Sequence, residues 1–358
     1  MTRTLSIRSF AQLIYEPNIS NYTNKVEMQP FVSRNISFVE HLARDIVDGL
    51  SEETNKKWIK PRYLYDAIGS SLFERICDQP EYYPFRTETG ILKRFGQHIF
   101  DFLIDDVTVI ELGSGNSAKT RILLSTLLEK QRHIFYLPID VSQEILLKTT
   151  QNLNREFTRL ETFGIAADYS EGIREACKIS AKNEIMPERK FVLFLGSTIG
   201  NFEYQEAIEF LISLRENMQT GDFLLLGFDL EKDVKLLENA YNDSLGYTAA
   251  FNLNLLSRIN RELGGEFSQS NFRHLAFYNT EHHRIEMNLI SNTTHEVYVN
   301  RLRRSFSFFK NERIHTENSY KFTLEKMKHI VEHSGFRIAE NFLDHENLYC
   351  VGLMVADN

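Results

Sequence analysis

The stretch Val107-Thr-Val-Ile-Glu-Leu-Gly-Ser-Gly-Asn-Ser117 joins an apolar run to a pair of glycines. Its first half predicts a buried strand, and Gly113 and Gly115 allow the backbone to turn sharply and to approach a ligand closely. Asp140 closes the next apolar run, 134–139, where its carboxylate is placed to accept hydrogen bonds from two ribose hydroxyls. Together these features predict a site for an adenosine-containing cofactor outside the carboxyl ends of the strands.

Short apolar runs alternate with amphipathic helical patterns on both sides of this turn. The predicted strands cover 107–112, 134–139, 162–167, 191–195 and 222–227. The predicted helices cover about 117–130, a segment from 142, 170–181 and 204–216. Fully apolar strands that alternate with helices indicate a parallel sheet covered on both faces.

The C-terminal third has a different pattern, which begins with a helical segment over 232–264. Three strand-like runs follow without helices between them, near 272–278, 284–291 and 296–302. They predict a separate antiparallel layer. After a helix over 323–334, two successive strands are predicted, at 336–342 and 348–355. Such a pair predicts an antiparallel hairpin at the sheet edge, an ending typical of the α/β sheet of class I (Rossmann-like) methyltransferases.

The N-terminal region is less regular. Residues 1–35 lack a clean period and are interpreted as an extended arm or a loosely packed leader, and a helix is predicted near 37–50. Residues 60–100 predict helices on either side of Pro80-Glu-Tyr-Tyr-Pro84. Because prolines cannot continue a helix interior, this segment is predicted to be a stiff, exposed elbow.

Polar residues also follow the third and fourth strands. Asp168 and Tyr169 are placed to bond the amino group of an adenine and to cover the base, although Asp168 could equally cap the next helix. Gly196-Ser-Thr-Ile-Gly-Asn201 lies at the point nearest to a transferred group. Asn201 offers donors and an acceptor without a charge, which suits methyl transfer. The alternative is that Asn201 caps the helix near Tyr204.

The glycine turn leaves other interpretations open. Gly113-x-Gly115-x-x-Ala118 also matches a dinucleotide fingerprint, so a nicotinamide-dependent dehydrogenase is a rival, and glycines that serve packing alone are another. The antiparallel ending and the absence of a histidine–carboxylate proton relay favour the methyltransferase over the dehydrogenase.

Composition narrows the partners and the compartment. The formal net charge of −8 argues against nucleic acid or an anionic membrane as the main partner, and the basic run 301–304 is predicted to lie on a solvated strand face. No apolar stretch approaches the roughly 18 residues of a membrane span. The three cysteines are far apart and the histidines lack ligand spacing, which predicts reduced thiols, a cytoplasmic location and no metal. A monomer that acts on a small molecule is expected.

A series of motifs in order resembles the histidine Nα-methyltransferases of ergothioneine biosynthesis. The motifs are Tyr65-Asp-Ala-Ile-Gly-Ser-Ser-Leu-Phe-Glu74, Pro80-Glu-Tyr-Tyr-Pro-x-Arg-Thr-Glu88, Gly196 to Asn201, Phe251 to Asn260, Arg284-Ile-Glu-Met287 and Ile314-His-Thr-Glu-Asn-Ser-Tyr-Lys321. The resemblance covers about residues 40–358. It implies a methyltransferase core over 61–228 and 322–358, and an inserted α+β substrate-binding domain over 229–321 together with 1–60.

The resemblance also implies roles for single residues. For the substrate, Tyr82 and Asn201 hold the α-amine at the reacting centre, Tyr65 and Tyr241 contact the carboxylate, Glu317 and Ser319 bond the imidazole, and Met287 lines the pocket. For the cofactor, the matching residues are Gly113, Lys119, Asp140, Asp168 and Tyr169, and the turn glycines Gly115 and Gly196 are predicted to join them. Lys119 could instead be a solvated lysine of a first helical turn.

The expected activity is the S-adenosylmethionine-dependent methylation of the α-amino nitrogen of L-histidine, up to trimethylhistidine (hercynine), with S-adenosylhomocysteine as the product of the cofactor. One rival is an N-methyltransferase of another amino acid, such as a tryptophan derivative. Glu317 argues against that rival, since an indole pocket needs no carboxylate. A non-catalytic module that binds an amino acid or a nucleoside is a further alternative.

Overall fold

The computed structural model describes residues 31–32, 38–53 and 55–357. Its helices are α1 (Phe38–Leu50), α2 (Ala67–Cys77), α3 (Tyr83–Asp101), α4 (Thr120–Lys130), α5 (Gln143–Glu156), α6 (Tyr169–Lys182), α7 (Tyr204–Glu216), α8 (Val234–Ala240), α9 (Tyr247–Leu263) and α10 (Leu324–Glu332). Its strands are β1 (Phe31–Val32), β2 (Lys57–Trp58), β3 (Thr108–Leu112), β4 (Ile134–Asp140), β5 (Leu160–Thr162), β6 (Ile165–Ala166), β7 (Lys190–Phe194), β8 (Phe223–Asp229), β9 (Phe272–Asn279), β10 (Arg284–Ser291), β11 (His295–Val299), β12 (Arg304–Phe308), β13 (Arg313–Tyr320), β14 (Phe336–Leu343) and β15 (Tyr349–Ala356).

The central sheet has the strand order β1-β6-β4-β3-β7-β8-β15-β14, and β5 also pairs with β4. Every residue of β3 and of β7 is buried, because helices cover both faces: α6, α7 and α10 on one, and α3, α4 and α5 on the other. The strands from β6 to β8 run parallel, whereas β15 is antiparallel to both β8 and β14. The predicted parallel sheet with an antiparallel hairpin at its edge is confirmed.

A second sheet, in the order β2-β13-β10-β9, and the hairpin of β11 and β12 form a separate layer, which is antiparallel as predicted except that β2 pairs with β13 in parallel. The prediction was incomplete, since β12 and β13 were not predicted. The strand predicted over 296–302 ends at Val299. The basic run 301–304 lies at the turn between β11 and β12, with Arg301, Arg303 and Arg304 exposed. It is solvated, as predicted, but most of it is turn rather than strand.

Two further predictions were wrong in detail. The helical segment 232–264 is broken at 241–246, where the carboxylate of Asp243 accepts the backbone N–H of Tyr247 and of Thr248 at 2.8 and 2.7 Å and starts a new helix. The third strand, predicted as 162–167, is divided into β5 and β6.

The elbow at 80–84 is not exposed as predicted. Tyr82 and Tyr83 are only 8 % and 1 % exposed. Pro84 lies inside the first turn of α3, where a missing N–H costs no helical hydrogen bond. The two tyrosines are therefore directed into the protein.

A separate hydrophobic cluster joins the N-terminal helices to the second sheet. It includes Tyr63, Ile76 and Tyr83 together with residues of α8, α9 and β10. We therefore propose that the substrate-binding part, predicted as 1–60 and 229–321, extends to about residue 83. The predicted leader over 1–35 lies outside the described residues except for β1, which pairs in parallel with β6. Within the described ranges, no helix is both long and apolar enough to cross a membrane.

Candidate active site

The glycine turn after β3 lies against the end of β4. Gly113 and Gly115 have φ of +73° and +49°, in the left-handed region that favours glycine. The carboxylate of Asp140 accepts the N–H of Gly115 at 2.9 Å and that of Ser142 at 2.9 Å. Burial raises the pKa of Asp140, and these N–H donors oppose the rise. A carboxylate has room for about four hydrogen bonds, so Asp140 retains acceptor capacity toward a ligand.

The turn after β7 is tied to a buried carboxylate that was not predicted as a site residue. The N–H of Gly196, at φ +79°, faces both oxygens of Glu88 at 2.9 and 3.0 Å. Lys119 forms an ion pair with the same carboxylate, and Tyr349 donates to it at 2.9 Å. The side chain of Lys119 is only 17 % exposed, so it is not the solvated lysine of the alternative interpretation. Glu88 is an acidic residue on an otherwise apolar face of α3. This interruption was the signal available in the sequence.

Asp168 and Tyr169 begin α6. One oxygen of Asp168 accepts the N–H of Glu171 at 2.9 Å, so the predicted capping role is confirmed, and Asp168 is exposed. The ring of Tyr169 packs edge-on against Phe194. A Cβ atom added to Gly113 would lie 3.1 Å from the hydroxyl of Tyr169. Tyr169 therefore covers the glycine turn.

A buried carboxylate lies in the second sheet. Glu317 on β13 pairs in register with Met287 on β10, and Asn288 pairs with His315, so Thr316 is the extra residue of a bulge. Bulges re-aim side chains, and beyond this one Glu317 and Ser319 point to the same face, since strand residues alternate. Met287, Glu317 and Ser319 are all buried.

One carboxylate oxygen of Glu317 is unpaired: Oε2 has no hydrogen-bond partner within the described part of the chain. Burial raises the pKa of Glu317 to about 7, and Lys321 opposes that rise. An unpaired buried polar group costs about 1–3 kcal/mol, so this carboxylate is suited to a ligand that donates an N–H.

Aromatic rings pack near Glu317. Tyr82 lies edge-on to Tyr241, with ring centroids 6.2 Å apart, and Tyr65 lies edge-on to Phe251 at 5.3 Å. Burial, followed by the nearby negative charge of Glu317 and by other groups, raises the pKa of Tyr65. The pKa of Tyr82 is raised by burial and then by Tyr241 and other groups, Glu317 among them. These tyrosines are therefore neutral hydroxyls.

The hydroxyls of Tyr241 and Ser319 belong to a buried network. Tyr241 donates to Ser319 Oγ at 2.7 Å, and Lys321 Nζ donates to Ser319 Oγ at 2.9 Å and to Tyr241 Oη at 3.1 Å. Lys321 also pairs with Asp229 at 2.9 Å, and both side chains are fully buried. Lys321 and Asp229 were not predicted as site residues. Tyr241 thus donates its hydrogen to Ser319 rather than standing free for a carboxylate.

Asn201 ends a one-turn 3-10 helix, Thr198–Asn201. The alternative that it caps α7 is wrong, since the cap is Glu203, which forms a capping box with Glu206. Asn201 is half-buried at the end of this turn. The carboxylate of Glu203 also accepts Asn318 Nδ2 at 2.9 Å and so ties this turn to β13.

The two groups of predicted residues lie in one region. Tyr169, which covers the glycine turn, has its pKa raised first by burial, then by Asp140 and then by Glu317. Contacts also join β13 to the central sheet, since a Cβ atom added to Gly200 would lie 2.9 Å from the carbonyl oxygen of Tyr320, and Lys321 pairs with Asp229 at the end of β8 at 2.9 Å. The strand that carries Glu317 and Ser319 therefore lies at the carboxyl ends of the central strands, the usual position of a ligand in such sheets.

Comparisons with known proteins identify the family of this chain. A family described as histidine-specific, SAM-dependent methyltransferase matches residues 42–356. A histidine N-alpha-methyltransferase of Mycolicibacterium smegmatis is 38 % identical over 84 % of this chain and 90 % of its own. Ergothioneine biosynthesis protein 1 of Schizosaccharomyces pombe is 29 % identical over 78 % of this chain and 36 % of its own. The L-tryptophan methyltransferase trpM of Psilocybe serbica is 29 % identical over 89 % and 94 %. With a class I sheet, a glycine turn at its carboxyl edge and a family match along most of its length, the chain belongs to the histidine-specific, S-adenosylmethionine-dependent methyltransferases.

Proposed function

We propose that this chain transfers methyl groups from S-adenosylmethionine to the α-amino nitrogen of free L-histidine, up to trimethylhistidine (hercynine), a step toward ergothioneine. The observation that carries the proposal is Glu317, a buried carboxylate with an oxygen that is unpaired among the described residues and with Tyr65, Tyr82 and Tyr241 nearby. In this proposal Glu317 and the glycine turn line the same cleft. The names of the relatives from Mycolicibacterium smegmatis and Schizosaccharomyces pombe support the same substrate and pathway.

Glu317 and Ser319 bind the imidazole in this proposal. Two residues along one face of a strand lie roughly 6.6 Å apart, a spacing that a five-membered ring with a nitrogen on each side can bridge. A side chain without an N–H would leave Glu317 buried and unpaired, and sites built around a hydrogen bond reject such analogues strongly. Met287 packs against the ring from the neighbouring strand.

The α-amine lies beside Tyr82 and Asn201, and the carboxylate of the substrate lies toward Tyr65 and Tyr241. Raised pKa values keep these tyrosines protonated. Tyr65 and Tyr82 therefore donate hydrogen bonds without placing a cation beside the sulfonium, whereas the hydrogen of Tyr241 is already donated to Ser319. For the same reason they cannot act as the base. The incoming amine loses its proton to water before or during binding, and alignment of the amine with the methyl group supplies several of the roughly 7–11 kcal/mol that orientation can contribute.

The carboxyl edge of the sheet fits S-adenosylmethionine. A Cβ at Gly115 would stand in open space, and Ser114 Oγ is buried without a partner among the described residues. When bound, the cofactor supplies a methyl group on a positively charged sulfur. We assign to its binding Gly113, Gly115, Lys119, Asp140, Asp168, Tyr169 and Gly196. The cation of Lys119 is balanced by Glu88, which limits its repulsion of the sulfonium.

We further propose a cytoplasmic monomer that acts on a small molecule and contacts neither nucleic acid nor membrane. All three cysteines are free thiols, in keeping with a reducing compartment. Size-exclusion chromatography with light scattering tests the monomer, since a stable dimer mass would contradict it.

The substrate is tested by incubating the protein and S-adenosylmethionine with histidine, tryptophan, phenylalanine or tyrosine, followed by mass spectrometry of each amino acid. The proposal expects methylated histidine, with up to three added methyl groups. Methylation of tryptophan without methylation of histidine would replace the proposal with the activity named for the Psilocybe serbica relative. Binding of S-adenosylhomocysteine and histidine in calorimetry without any turnover would instead indicate a non-catalytic module.

A further inference from the structure

The hydroxyl of Ser319 has both of its acceptor positions filled. A serine oxygen carries one hydrogen to donate and two lone pairs that accept. Tyr241 donates to Ser319 Oγ at 2.7 Å and Lys321 donates to it at 2.9 Å. The only hydrogen-bonding capacity left to Ser319 is its own hydrogen. Toward a ligand, Ser319 is therefore a donor and not an acceptor.

The contacts of Lys321 keep Ser319 in its role as a donor toward a ligand. Its three ammonium hydrogens are matched by three acceptors, namely Asp229 at 2.9 Å, Ser319 at 2.9 Å and Tyr241 at 3.1 Å. Burial alone would lower the pKa of Lys321, but Asp229 raises it above its usual range, so the ammonium stays charged. For Tyr241, burial raises the pKa and outweighs the opposing effect of Lys321. The hydroxyl of Tyr241 therefore keeps the proton that it donates to Ser319.

Glu317 supplies the complementary group. It lies two residues before Ser319 on the same face of β13, is buried, and has a free Oε2 within the described part of the protein. The pocket thus offers one acceptor and one donor, side by side. A neutral imidazole, with one N–H and one bare nitrogen, matches both groups. An imidazolium presents two N–H groups, and one of them would face the hydrogen of Ser319.

We infer that the pocket binds the imidazole ring in its neutral form and in a single tautomer, with the N–H toward Glu317 and the bare nitrogen toward Ser319, and that Lys321 is the positioning residue that enforces this choice. The inference rests on the proposed function. Attraction to Glu317 would favour an imidazolium, but a buried cation loses its hydration. It would also lie in the same cleft as the sulfonium and near Lys321, and it would leave one N–H unpaired.

Other titratable groups surround the ring position. They are Glu317 on β13, Lys321 directly after it, Tyr241 after α8, Asp229 and Lys232 at the end of β8, Tyr65 before α2, Tyr82 and Tyr83 at the start of α3, and Tyr169 on α6. His315 is not among them, because it faces the other side of β13 and pairs with Asn318. Two of these groups have a shifted pKa close to neutral pH. Burial raises the pKa of Glu317 to about 7 and lowers the pKa of Lys232 to about 8. A test must therefore separate titration of the ring from titration of the protein.

The test compares histidine with β-(1,2,4-triazol-3-yl)alanine, whose weakly basic ring stays neutral while offering both an N–H and a bare nitrogen. KM is measured for both substrates from about pH 5.5 to about pH 8. Protonation of the α-amine and of Glu317 affects both substrates and largely cancels in the ratio of the two KM values. Because the histidine ring has an ordinary pKa of about 6.5, the ratio of KM for histidine to KM for the triazole is expected to rise about tenfold at about pH 5.5. A flat or falling ratio would overturn the inference.

Two lysine variants then test the positioning role. Lys321→Met frees an acceptor position on Ser319, so the tenfold rise is expected to shrink to about threefold or less. Lys232→Met is the matched control, since it also removes a buried cation from Asp229 but makes no contact with Ser319, and it should keep the tenfold rise. Should Lys321→Met not fold, Tyr241→Phe frees the other acceptor position and is expected to give the same reduction.

The possible failures are distinguishable. A full tenfold rise in folded Lys321→Met, or in Tyr241→Phe, would overturn the role of the network in choosing the ring form. No methylation of either substrate by the wild-type protein at any pH would overturn the proposed function itself, and this inference with it.

Discussion

Replacing Glu317 with glutamine should make the protein more stable and less active at the same time. The variant keeps the shape of the side chain and removes its charge. Burial raises the pKa of Glu317 from its ordinary value of 4.5 to about 7. A carboxyl group with a raised pKa contributes stability below about pH 4.5, and this contribution is lost as the pH rises through 7. The difference between these pKa values corresponds to about 3 kcal/mol, so Glu317→Gln should be up to about 3 kcal/mol more stable than the wild type at pH 8.

Activity should change in the opposite direction. A hydrogen bond to a charged acceptor contributes about 1.5–3 kcal/mol, compared with about 0.5–1.5 for a neutral one. The value of kcat/KM for histidine should therefore fall about tenfold. Urea unfolding of the ligand-free proteins at pH 8 and pH 5 gives the free energies of unfolding, and the stability difference should shrink at pH 5, where Glu317 is protonated in the wild type.

Glu312→Gln is the matched control. Glu312 is also a buried glutamate of the substrate-binding part, but it is ion-paired with Lys57 at 2.7 Å. Its replacement leaves a buried cation unpaired, so it should destabilise the protein by about 3 kcal/mol and leave kcat/KM of the folded protein unchanged. The reasoning about Glu317 would be refuted by a Glu317→Gln variant that is no more stable than the wild type at pH 8, or that methylates histidine at the full rate.

Other substitutions separate the two halves of the cleft. Asn201→Ala should lower kcat/KM for histidine about 10- to 100-fold through the loss of an amine contact, and calorimetry should give an unchanged Kd for S-adenosylhomocysteine; a weakened Kd would move Asn201 to the cofactor side. Gly113→Ala places a methyl group on a residue with a φ of +73° and at 3.1 Å from the hydroxyl of Tyr169. The Kd for S-adenosylhomocysteine should therefore rise at least about tenfold. An unchanged Kd would mean that the turn does not contact the cofactor. Asp140→Ala removes the acceptor of the Gly115 N–H and the proposed ribose contacts, and Kd should rise about 10- to 100-fold; full affinity in the calorimeter would exclude Asp140 from the site.

The central sheet could be predicted because its strands carry their own signal. β3, β4, β7 and β8 are almost wholly apolar, and β3 ends at a glycine pair, so periodicity and turn residues indicated both the strands and their order in the chain. The helix α7 begins at Tyr204 and ends at Glu216, as predicted. Local patterns were sufficient here because each element is buried in the same way along its length.

The substrate-binding part depended on long-range packing. β13 was not predicted, since the run from Arg313 to Tyr320 is mostly polar. It is a strand because it pairs with β10 and β2, and its polar side chains meet Arg284, Glu203 and one another. The bulge at Thr316, which re-aims Glu317, has no signature in a single sequence. Glu317 and Ser319 were found through a motif resemblance and not through periodicity.

The role of Lys321 could not be predicted from its position after a strand. A lysine is seldom fully buried, and its burial here depends on Asp229, which is 92 residues away in the chain and lies at the end of β8. The same limit applied to Tyr82 and Tyr83, whose two flanking prolines indicated an exposed turn. In each case the partner is distant in sequence, so local chemistry alone did not reveal that the side chain is buried.

The most direct test of the account is a crystal structure of the protein with S-adenosylhomocysteine and histidine bound together. The account predicts the imidazole between Glu317 and Ser319, at about 3 Å from each, with the α-nitrogen beside Asn201 and directed at the sulfur. A ring bound away from Glu317, or an α-nitrogen turned away from the sulfur, would contradict it.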